Sequence, residues 1–295
     1  MTAHDGIGVS VPATSANLGP GFDAFGVALT MSLRARTAPR EERRVVPSGD
    51  GAAELPTGDD NLVWRAFTTY CEHFGAAVPD VTLLVDNDIP LERGMGSSSA
   101  AAVAGIVLAR AVTGAGGTHQ DLVDLAAGFD GHPDNVAPAV LGGLVVCVAG
   151  KATRLQPSGR LRPVVCVPET RQNTHEARGV LPASVPLADA AANGARAALV
   201  LAGLAGAAAW DPAAMADVLH EPVRLEVMAA SGALVRALRA AGIGACLSGA
   251  GPSVLAVVPR ADAVGLERVR AEAGDGWRVL PLDWDLAGTR LLRRA

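Results

Sequence analysis

The segment 90–100 has the residue types of a phosphate-binding loop, reading Pro-Leu-Glu-Arg-Gly-Met-Gly-Ser-Ser-Ser-Ala. Alternation in residues 81–85 predicts a strand before it, and the alanine-rich run 101–112 predicts a helix after it. Gly94 and Gly96 allow the backbone to approach a ligand closely. The first turn of a helix leaves N–H groups without partners and carries a partial positive charge, so the segment favours an anion such as phosphate. The plainer alternative is a tight turn closed by a serine cap.

Three well-known loops of similar composition are excluded by single residues. A Walker loop needs a lysine after its last glycine, and the chain's single lysine is Lys151, far from this segment. A dinucleotide-binding fingerprint would need glycine where Ser99 stands, and a serine nucleophile elbow would need it where Ala100 stands. The segment therefore predicts an anion site of another class.

A second group of polar residues lies near the N-terminus, in the segment 12–23. A predicted strand runs there into sequence rich in Pro, Gly and Asn, which indicates irregular backbone that presents Asn17 and Asp23. An ordinary hairpin turn is the alternative. Further on, Asn61 precedes the amphipathic run 62–74, where its side chain could either cap a helix or contact a nucleotide.

The segment 128–135, Gly-Phe-Asp-Gly-His-Pro-Asp-Asn, brings Asp130, His132 and Asp134 within one turn. Carboxylate and amide oxygens so close together could hold a cation or a polar substrate. Asp and Pro are also common in purely structural turns, so a structural role is the alternative.

The elements around these segments indicate a mixed helix and sheet protein. Residues 142–149 predict a buried strand, the charged stretch 36–59 predicts an exposed excursion, and the polar stretch 151–159 predicts a domain boundary. In the second half, predicted strands at 162–167 and 277–282 flank helical tracts at 187–203, 212–219 and 232–241 and a glycine turn that feeds a further strand. This order suggests an α+β domain of ferredoxin-like kind.

Composition limits the classes of function. The 295 residues are 49% hydrophobic, which suits a well-filled interior, and the apolar run 197–210 is shorter than the ~20 residues of a membrane span. A net charge of −5 and an aromatic content of 3% argue against nucleic acid as a partner. The N-terminus lacks a signal-peptide pattern, and the cysteines lack disulfide or zinc spacing. We expect a cytoplasmic protein that binds neither nucleic acid nor membrane.

Three blocks in fixed order, 12–23, 90–100 and 248–253, resemble the signature motifs of the GHMP small-molecule kinases. Three segments are similar in sequence to the family members that phosphorylate homoserine. They are the first block, Gly-His-Pro-Asp-Asn-Val-Ala-Pro at 131–138 and Asp-Val-Leu-His-Glu-Pro-Val-Arg at 217–224. The resemblance covers nearly the whole chain.

The resemblance implies both a fold and a reaction. The fold is the α+β GHMP kinase fold, with an N-terminal α/β domain (1–155) that carries the nucleotide loop and a C-terminal ferredoxin-like domain (156–295) that closes over the substrate. The reaction uses ATP and Mg²⁺ to phosphorylate the side-chain hydroxyl of L-homoserine, in threonine biosynthesis. The segment 12–23 contains no lysine, so the lysine-assisted arrangement of the mevalonate kinases is unavailable and an acyclic amino acid is the expected acceptor. No pattern decides the oligomeric state, and a homodimer stays open.

The resemblance also implies the role of each motif residue. The expected catalytic residues are Asn17, Asp23, Ser98 and Asp130. The expected substrate-binding residues are Asn17, Asp23, Asp134, Arg178 and Arg224. The expected ATP contacts are Asn61 and Val63 on the adenine side, with Pro90, Arg93, Gly94, Met95, Gly96, Ser97, Ser98, Ser99 and Ala100 in the loop. Ser98 and Asp130 are expected to hold the metal.

The expected metal acid departs from the family pattern, because Asp130 stands where the block Glu-Gly-His-Pro-Asp-Asn has glutamate. The shorter side chain would hold the metal through water, or Asp124, ten positions before Asp134, would take the role as the equivalent acid does in some relatives. Two other functions stay open. One is a GHMP kinase acting on another small hydroxy amino acid or alcohol, and the other is a non-catalytic ligand-binding paralogue, against which the presence of every motif serine and acid argues.

Overall fold

The computed structural model describes residues 6–130, 132–171 and 174–292, with the backbone alone for residues 130 and 174–176. The strands are β1 (Gly8–Ala16), β2 (Phe25–Pro39), β3 (Val45–Gly49), β4 (Val81–Asn87), β5 (Leu144–Val148), β6 (Lys151–Leu155), β7 (Leu161–Pro168), β8 (Gly244–Leu247), β9 (Val254–Pro259), β10 (Trp277–Pro281) and β11 (Arg290–Leu292). The helices are α1 (Leu62–His73), α2 (Ser97–Thr113), α3 (His119–Asp130), α4 (Pro133–Leu141), α5 (Thr174–Gly179), α6 (Leu187–Leu204), α7 (Glu221–Val227), α8 (Ala229–Ala240) and α9 (Ala263–Ala273), with a 3-10 turn at Pro212–Met215.

Two sheets form the framework. The first has the strand order β11-β1-β2-β4-β3, with β5 paired to the start of β2 and β6 paired to β5. Its neighbours are antiparallel except for β3 and β4, which are parallel. The second sheet is antiparallel in the order β10-β7-β9-β8. Largely antiparallel sheets covered by helices agree with the predicted α+β class.

One apolar cluster reaches from the first sheet to the inner face of the second. Side chains alternate between the two faces of a strand, and in β7 Val165 and Val167 join this cluster while Val164 and Cys166 join a second one against the C-terminal helices. The strand β11 returns the chain to the first sheet, beside β1. The division at 155/156 therefore stays a prediction, and both a shared core and one strand cross it.

The helix α2 carries the serines of the second motif block at its N-terminus and packs against α1, β1 and β2. Its buried residues are mostly small, with Val103, Ile106 and Leu108 as larger ones between them, so it lies close to its neighbours. Gly114 ends it in the left-handed conformation, with its N–H donating to the carbonyl of Arg110. The buried body of α2 thus holds its first turn at a fixed place.

The expectation of an exposed excursion over 36–59 is wrong for its first part. The strand β2 continues to Pro39, and β3 lies in the sheet beside β4 with Val45 fully buried. Pairing with β4 satisfies the backbone there, although the segment lacks apolar periodicity. The strand β11 was not predicted, because its three residues are too few for a pattern.

The tract predicted as a helix over 212–219 is only a 3-10 turn, and α7 begins after it at Glu221. The reason is Asp217, whose Oδ2 accepts hydrogen bonds from the N–H groups of Leu219, His220 and Glu221 and so organises the start of α7.

Among the described residues, no helix is long and apolar enough to cross a membrane.

Candidate active site

The second motif block is in contact with both of the others. The N–H of Thr14 donates to the carbonyl of Met95 at 3.1 Å, which joins the first block to the second. Ser248 Oγ donates to the carbonyl of Gly94 at 2.6 Å, which joins the third block to the second. Segments far apart in the chain therefore form one surface at the N-terminus of α2.

Asn17 joins the first block to the third. Its Nδ2 donates to the carbonyl of Gly249 at 2.8 Å, and the N–H of Gly249 donates back to the carbonyl of Ala16 at 3.1 Å. Its Oδ1 accepts from the N–H of Asp23 at 3.0 Å. Asn17 and Asp23 both have positive φ, 67° and 53°, so the irregular backbone predicted here is present. It forms the loop 17–24, which joins the antiparallel strands β1 and β2.

The second block forms the cradle predicted from its glycines. Gly94 and Gly96 have φ of 69° and 68°, and a Cβ on Gly94 would lie 2.1 Å from the carbonyl oxygen of Ser248. Only glycine fits that position without displacing the third block. The N-cap of α2 is Gly96, which has no side chain to cap the first turn, so the alternative of a serine cap is not what the structure contains.

A cavity of about 570 Å³ opens at this turn. Its lining includes every expected nucleotide residue except the last: Asn61, Val63, Pro90, Arg93, Gly94, Met95, Gly96, Ser97, Ser98 and Ser99. Ala100 is instead buried within α2. Leu55 and Pro56 add apolar lining, and His132, Asn135 and Ala250 also line the cavity. The cavity thus has an apolar region, a helix N-terminus and a polar region in one space, as a nucleoside triphosphate requires.

Two of the expected nucleotide residues have structural hydrogen bonds. Asn61 caps α1, since its Oδ1 accepts from the N–H of Val63 at 2.9 Å while its Nδ2 donates to the carbonyl of Pro56 at 2.7 Å. Arg93 donates to the carbonyls of Pro168, the last residue of β7, and of Glu169, at 2.8 and 2.7 Å. Asn61 therefore shapes the apolar lining of the cavity, and Arg93 ties the cradle to the second sheet.

Asp23 is paired with Arg178 beside the cavity residue His132. Arg178 Nη2 lies 2.9 and 2.8 Å from the two carboxylate oxygens, and the same nitrogen lies 3.1 Å from Nδ1 of His132, which lines the cavity. Both side chains of the pair are about 40% exposed, at 40% for Arg178 and 42% for Asp23. The pair can therefore exchange partners with an incoming charged group.

Arg224 lies next to this pair but is buried. Its Nε donates to the carbonyl of Ala177 at 3.0 Å, and its Nη1 lies 3.0 Å from Nδ1 of His220. Both guanidinium groups lie over the ring of Phe22. The distance from the guanidinium carbon to the ring centroid is 5.5 Å for Arg224 and 5.7 Å for Arg178. Burial, and then the charge of Arg178, lowers the pKa of Arg224 from its ordinary value. Two cations and one carboxylate thus meet within one small region.

Of the residues expected to hold the metal, Ser98 lines the cavity and Asp124 does not. Ser98 is exposed on the first turn of α2 and lines the cavity. The side chain of Asp130 lies outside the described residues, although its backbone ends α3 two positions before His132. Asp124 is exposed on α3, accepts a hydrogen bond from Gln120 Nε2 at 2.7 Å, and is not among the residues lining the cavity.

Oxygen donors suit a magnesium ion at the cavity. Ser98 offers a hydroxyl there, and the end of α3 brings the backbone of Asp130 close to the cavity residue His132. Asp134 is buried in the first turn of α4, between the two cavity residues His132 and Asn135. The described residues contain no group of three or more His, Cys, Asp or Glu side chains that could hold a metal. A metal here would therefore need few protein ligands and phosphate oxygens for the rest.

Several residues at the site could not be predicted from a sequence pattern. Glu54 and Arg171 form an exposed ion pair at the cavity, and the hydrogen bond from Arg171 lowers the pKa of Glu54. No pattern links two charged residues 117 positions apart. His220 lies in a segment that resembles the kinase family, but its contact with Arg224 depends on α7 and could not be predicted.

Two models of one protein family match the chain. The model of the GHMP kinases N terminal domain matches residues 61–143, and the model of the GHMP kinases C terminal region matches residues 196–275. A homoserine kinase of Streptomyces coelicolor is 43% identical over 96% of this chain and 94% of its own length. One of Leifsonia xyli subsp. xyli is 40% identical over 98% and 93%.

Solved structures share the fold. The crystal structure of homoserine kinase from Cytophaga hutchinsonii has a TM-score of 0.82 and 25% identity, covering 99% of both chains. A Methanococcus jannaschii mevalonate kinase, at 13% identity and a TM-score of 0.70, shares the fold alone. The two family models and the shared fold define a small-molecule kinase of the GHMP class. The chain belongs to that family and, through its relatives, to the homoserine kinases within it, which confirms the resemblance and the predicted fold.

Proposed function

We propose that this kinase transfers the γ-phosphoryl group of ATP to the side-chain hydroxyl of L-homoserine, with Mg²⁺ as the metal. The hydroxyl oxygen forms a bond to the γ-phosphorus, the bond to the β–γ bridging oxygen breaks, and ADP and O-phospho-L-homoserine leave with release of the hydroxyl proton. The observation that carries the proposal is the cluster of Asp23, Arg178 and Arg224 beside the cavity at the N-terminus of α2.

The N-terminus of α2 would hold the phosphates in this reaction. N–H groups in the first turn and the positive end of the helix dipole favour the triphosphate by about 0.3–2 kcal/mol, which is too little for catalysis by itself. A bound Mg²⁺ supplies the remaining charge neutralisation. We propose that Ser98 and Asp130 hold it, with Asp124 as the less favoured alternative because it does not line the cavity.

The charged cluster would hold the two ends of the amino acid. A carboxylate can accept two hydrogen bonds from one guanidinium group, and Arg224 and Arg178 are the candidate donors. An ammonium group suits the carboxylates of Asp23 and Asp134. Asn17 would fix the backbone that presents Asp23, through its bonds to Asp23 and Gly249. Such anchoring orients the hydroxyl toward the phosphate cradle, and positioning is the main contribution a protein makes to phosphoryl transfer.

A coupled assay of ADP release, with the phosphorylated product identified by phosphorus NMR, tests the proposal. We expect ATP consumption that depends on L-homoserine and falls at least a hundredfold with propanolamine, which lacks the carboxylate, or γ-hydroxybutyrate, which lacks the amine. Equal use of mevalonate or a sugar would reject the substrate and keep the kinase. Ligand binding without ADP release would instead identify a non-catalytic paralogue.

A further inference from the structure

His220 holds the buried arginine of the charged cluster in a single orientation. Nη1 of Arg224 lies 3.0 Å from His220 Nδ1, and Nε2 of the same ring lies 3.0 Å from the carbonyl oxygen of Gly19. A carbonyl only accepts hydrogen bonds, so Nε2 carries the proton and Nδ1 presents a lone pair to the guanidinium group. The neutral imidazole is therefore an acceptor aimed at Arg224.

Further contacts of its backbone and of its ring hold His220 in place. Its backbone N–H donates to Asp217 Oδ2 at 2.7 Å, at the start of α7. Its ring stacks on Phe22 with centroids 4.9 Å apart, and its side chain is 1% exposed. Gly19 and Phe22 both belong to the first motif block, so His220 links that block to the helix that carries Arg224.

The remaining contact of Arg224 limits it further. Its Nε donates to the carbonyl of Ala177, in α5, one residue before Arg178. Two acceptors on different elements and the Phe22 ring thus fix the plane of the guanidinium group, which a flexible arginine would otherwise sample over many rotamers. A planar donor must be held in this way to meet a carboxylate with two bonds.

We infer that His220 is a positioning residue for substrate recognition, which fixes Arg224 in the orientation that binds the carboxylate of the amino-acid substrate. The inference rests on the proposed function, because it assigns the carboxylate to Arg224. The block 217–224 then contributes two groups to specificity, which are the arginine itself and the imidazole acceptor that orients it.

Kinetics of His220→Asn and His220→Ala with two acceptors test the inference. An Asn side chain can keep an acceptor near the position of Nδ1, whereas Ala removes both ring contacts. We expect His220→Ala to raise KM for L-homoserine at least tenfold, about 1.4 kcal/mol, with kcat changed less than threefold and KM for ATP unchanged. His220→Asn should recover part of the loss. His119→Asn, on the exposed start of α3, is the matched control and should leave both KM values unchanged.

Propanolamine separates positioning from a general structural role. It has no carboxylate for Arg224, so we expect His220→Ala to reduce kcat/KM for homoserine at least tenfold and for propanolamine by less than twofold. In an Arg224→Ala background the His220 substitution should add less than twofold, because its effect passes through the arginine.

Equal losses with both acceptors, or full additivity with Arg224→Ala, would overturn the inference. Thermal unfolding of each variant shows whether it is folded, and the Asn variant provides the test if the Ala variant is not. Failure of the wild-type chain to phosphorylate homoserine would reject the proposed function instead. The two failures are therefore distinguishable.

Discussion

The hydroxyl of Ser248 donates a hydrogen bond to the carbonyl oxygen of Gly94 at 2.6 Å, across 154 positions of the chain. The same Oγ lies 2.9 Å from Ser15 Oγ, in the first motif block. One buried side chain directly after β8 therefore contacts both the end of β1 and the loop that precedes α2. The shape of the phosphate cradle depends on this contact as well as on the local sequence of the loop.

Gly94→Ala should displace the third motif block from the cradle. The new Cβ would lie 2.1 Å from the carbonyl oxygen of Ser248, and the residue would keep a φ of 69°. We expect the free energy of unfolding to fall by more than 2 kcal/mol, combining the left-handed strain of about 1–2 kcal/mol with steric displacement. Gly114→Ala is the control, since its φ is 68° with no atom within 4 Å. Equal destabilisation of the two variants in urea would show that the contact with Ser248 is unimportant.

Ser98→Ala should lower turnover strongly and leave the fold intact. The side chain is exposed and lines the cavity, so its removal creates no void and deletes a candidate oxygen ligand. We expect kcat to fall at least a hundredfold, with a higher Mg²⁺ requirement in the ADP-release assay. Ser97→Ala should be milder, because its expected contribution is the backbone N–H. Wild-type turnover of Ser98→Ala at limiting Mg²⁺ would contradict the assignment.

Asp130→Asn and Asp124→Asn should differ in their demand for metal. A metal ligand at Asp130 would lose its charge on this substitution, so half-maximal activity should need at least tenfold more Mg²⁺. Asp124 is exposed and bonded to Gln120, outside the cavity lining, so its variant should titrate like wild type. The reverse order of the two titrations would assign the metal to Asp124.

Arg224→Ala and Arg178→Ala should each raise KM for homoserine by roughly ten- to a hundredfold, at about 1.4 kcal/mol per factor of ten. Loss of a bidentate partner leaves the substrate carboxylate unpaired in a closed site. KM for ATP should stay the same. The exposed Arg268, paired with Glu272 one helical turn away, gives the control variant Arg268→Ala. An arginine whose substitution matches this control is a surface ion pair of little energetic value.

The stability of the protein should fall as the pH falls below about 6.5. Burial lowers the pKa of His220 from its ordinary value of 6.5. The charges of Asp217 and Glu221 partly oppose this shift, and the charge of Arg224 lowers the pKa further. The native state holds the ring neutral while the unfolded chain takes up a proton below pH 6.5, so stability is present above that pH and is lost below it.

The effect involves one proton, so the free energy of unfolding changes by at most about 1.4 kcal/mol for each pH unit. Urea unfolding of wild type and His220→Asn between about pH 5 and 7 measures it. The variant lacks the titrating group and should have the flatter profile. Parallel profiles would show that His220 does not titrate differently in the two states.

Local physical chemistry was enough to predict much of the site from the sequence. Glycine freedom, alternation and alanine-rich helix propensity predicted the strand, the glycine loop and α2. For Asn61 the sequence left a helix cap and a nucleotide contact open, and the structure shows that it caps α1. Each of these depends on neighbours within a few positions. The residue types of the motif blocks also supported the family resemblance, which the relatives confirm.

The tertiary structure decided which of these residues meet. Asp23 and Arg178 are 155 positions apart, and Arg224 is oriented by the carbonyl of Ala177 and by His220. Contacts to backbone carbonyls leave no mark in a sequence, because every residue has one. The parallel pairing of β3 with β4 was equally hidden, since long-range pairing sets the place of a strand that lacks its own pattern. The sequence determined the local conformation of the glycine loop and of α2 because those forces act between near neighbours, whereas packing between distant segments placed Ser248 on the loop and assembled the charged cluster beside it.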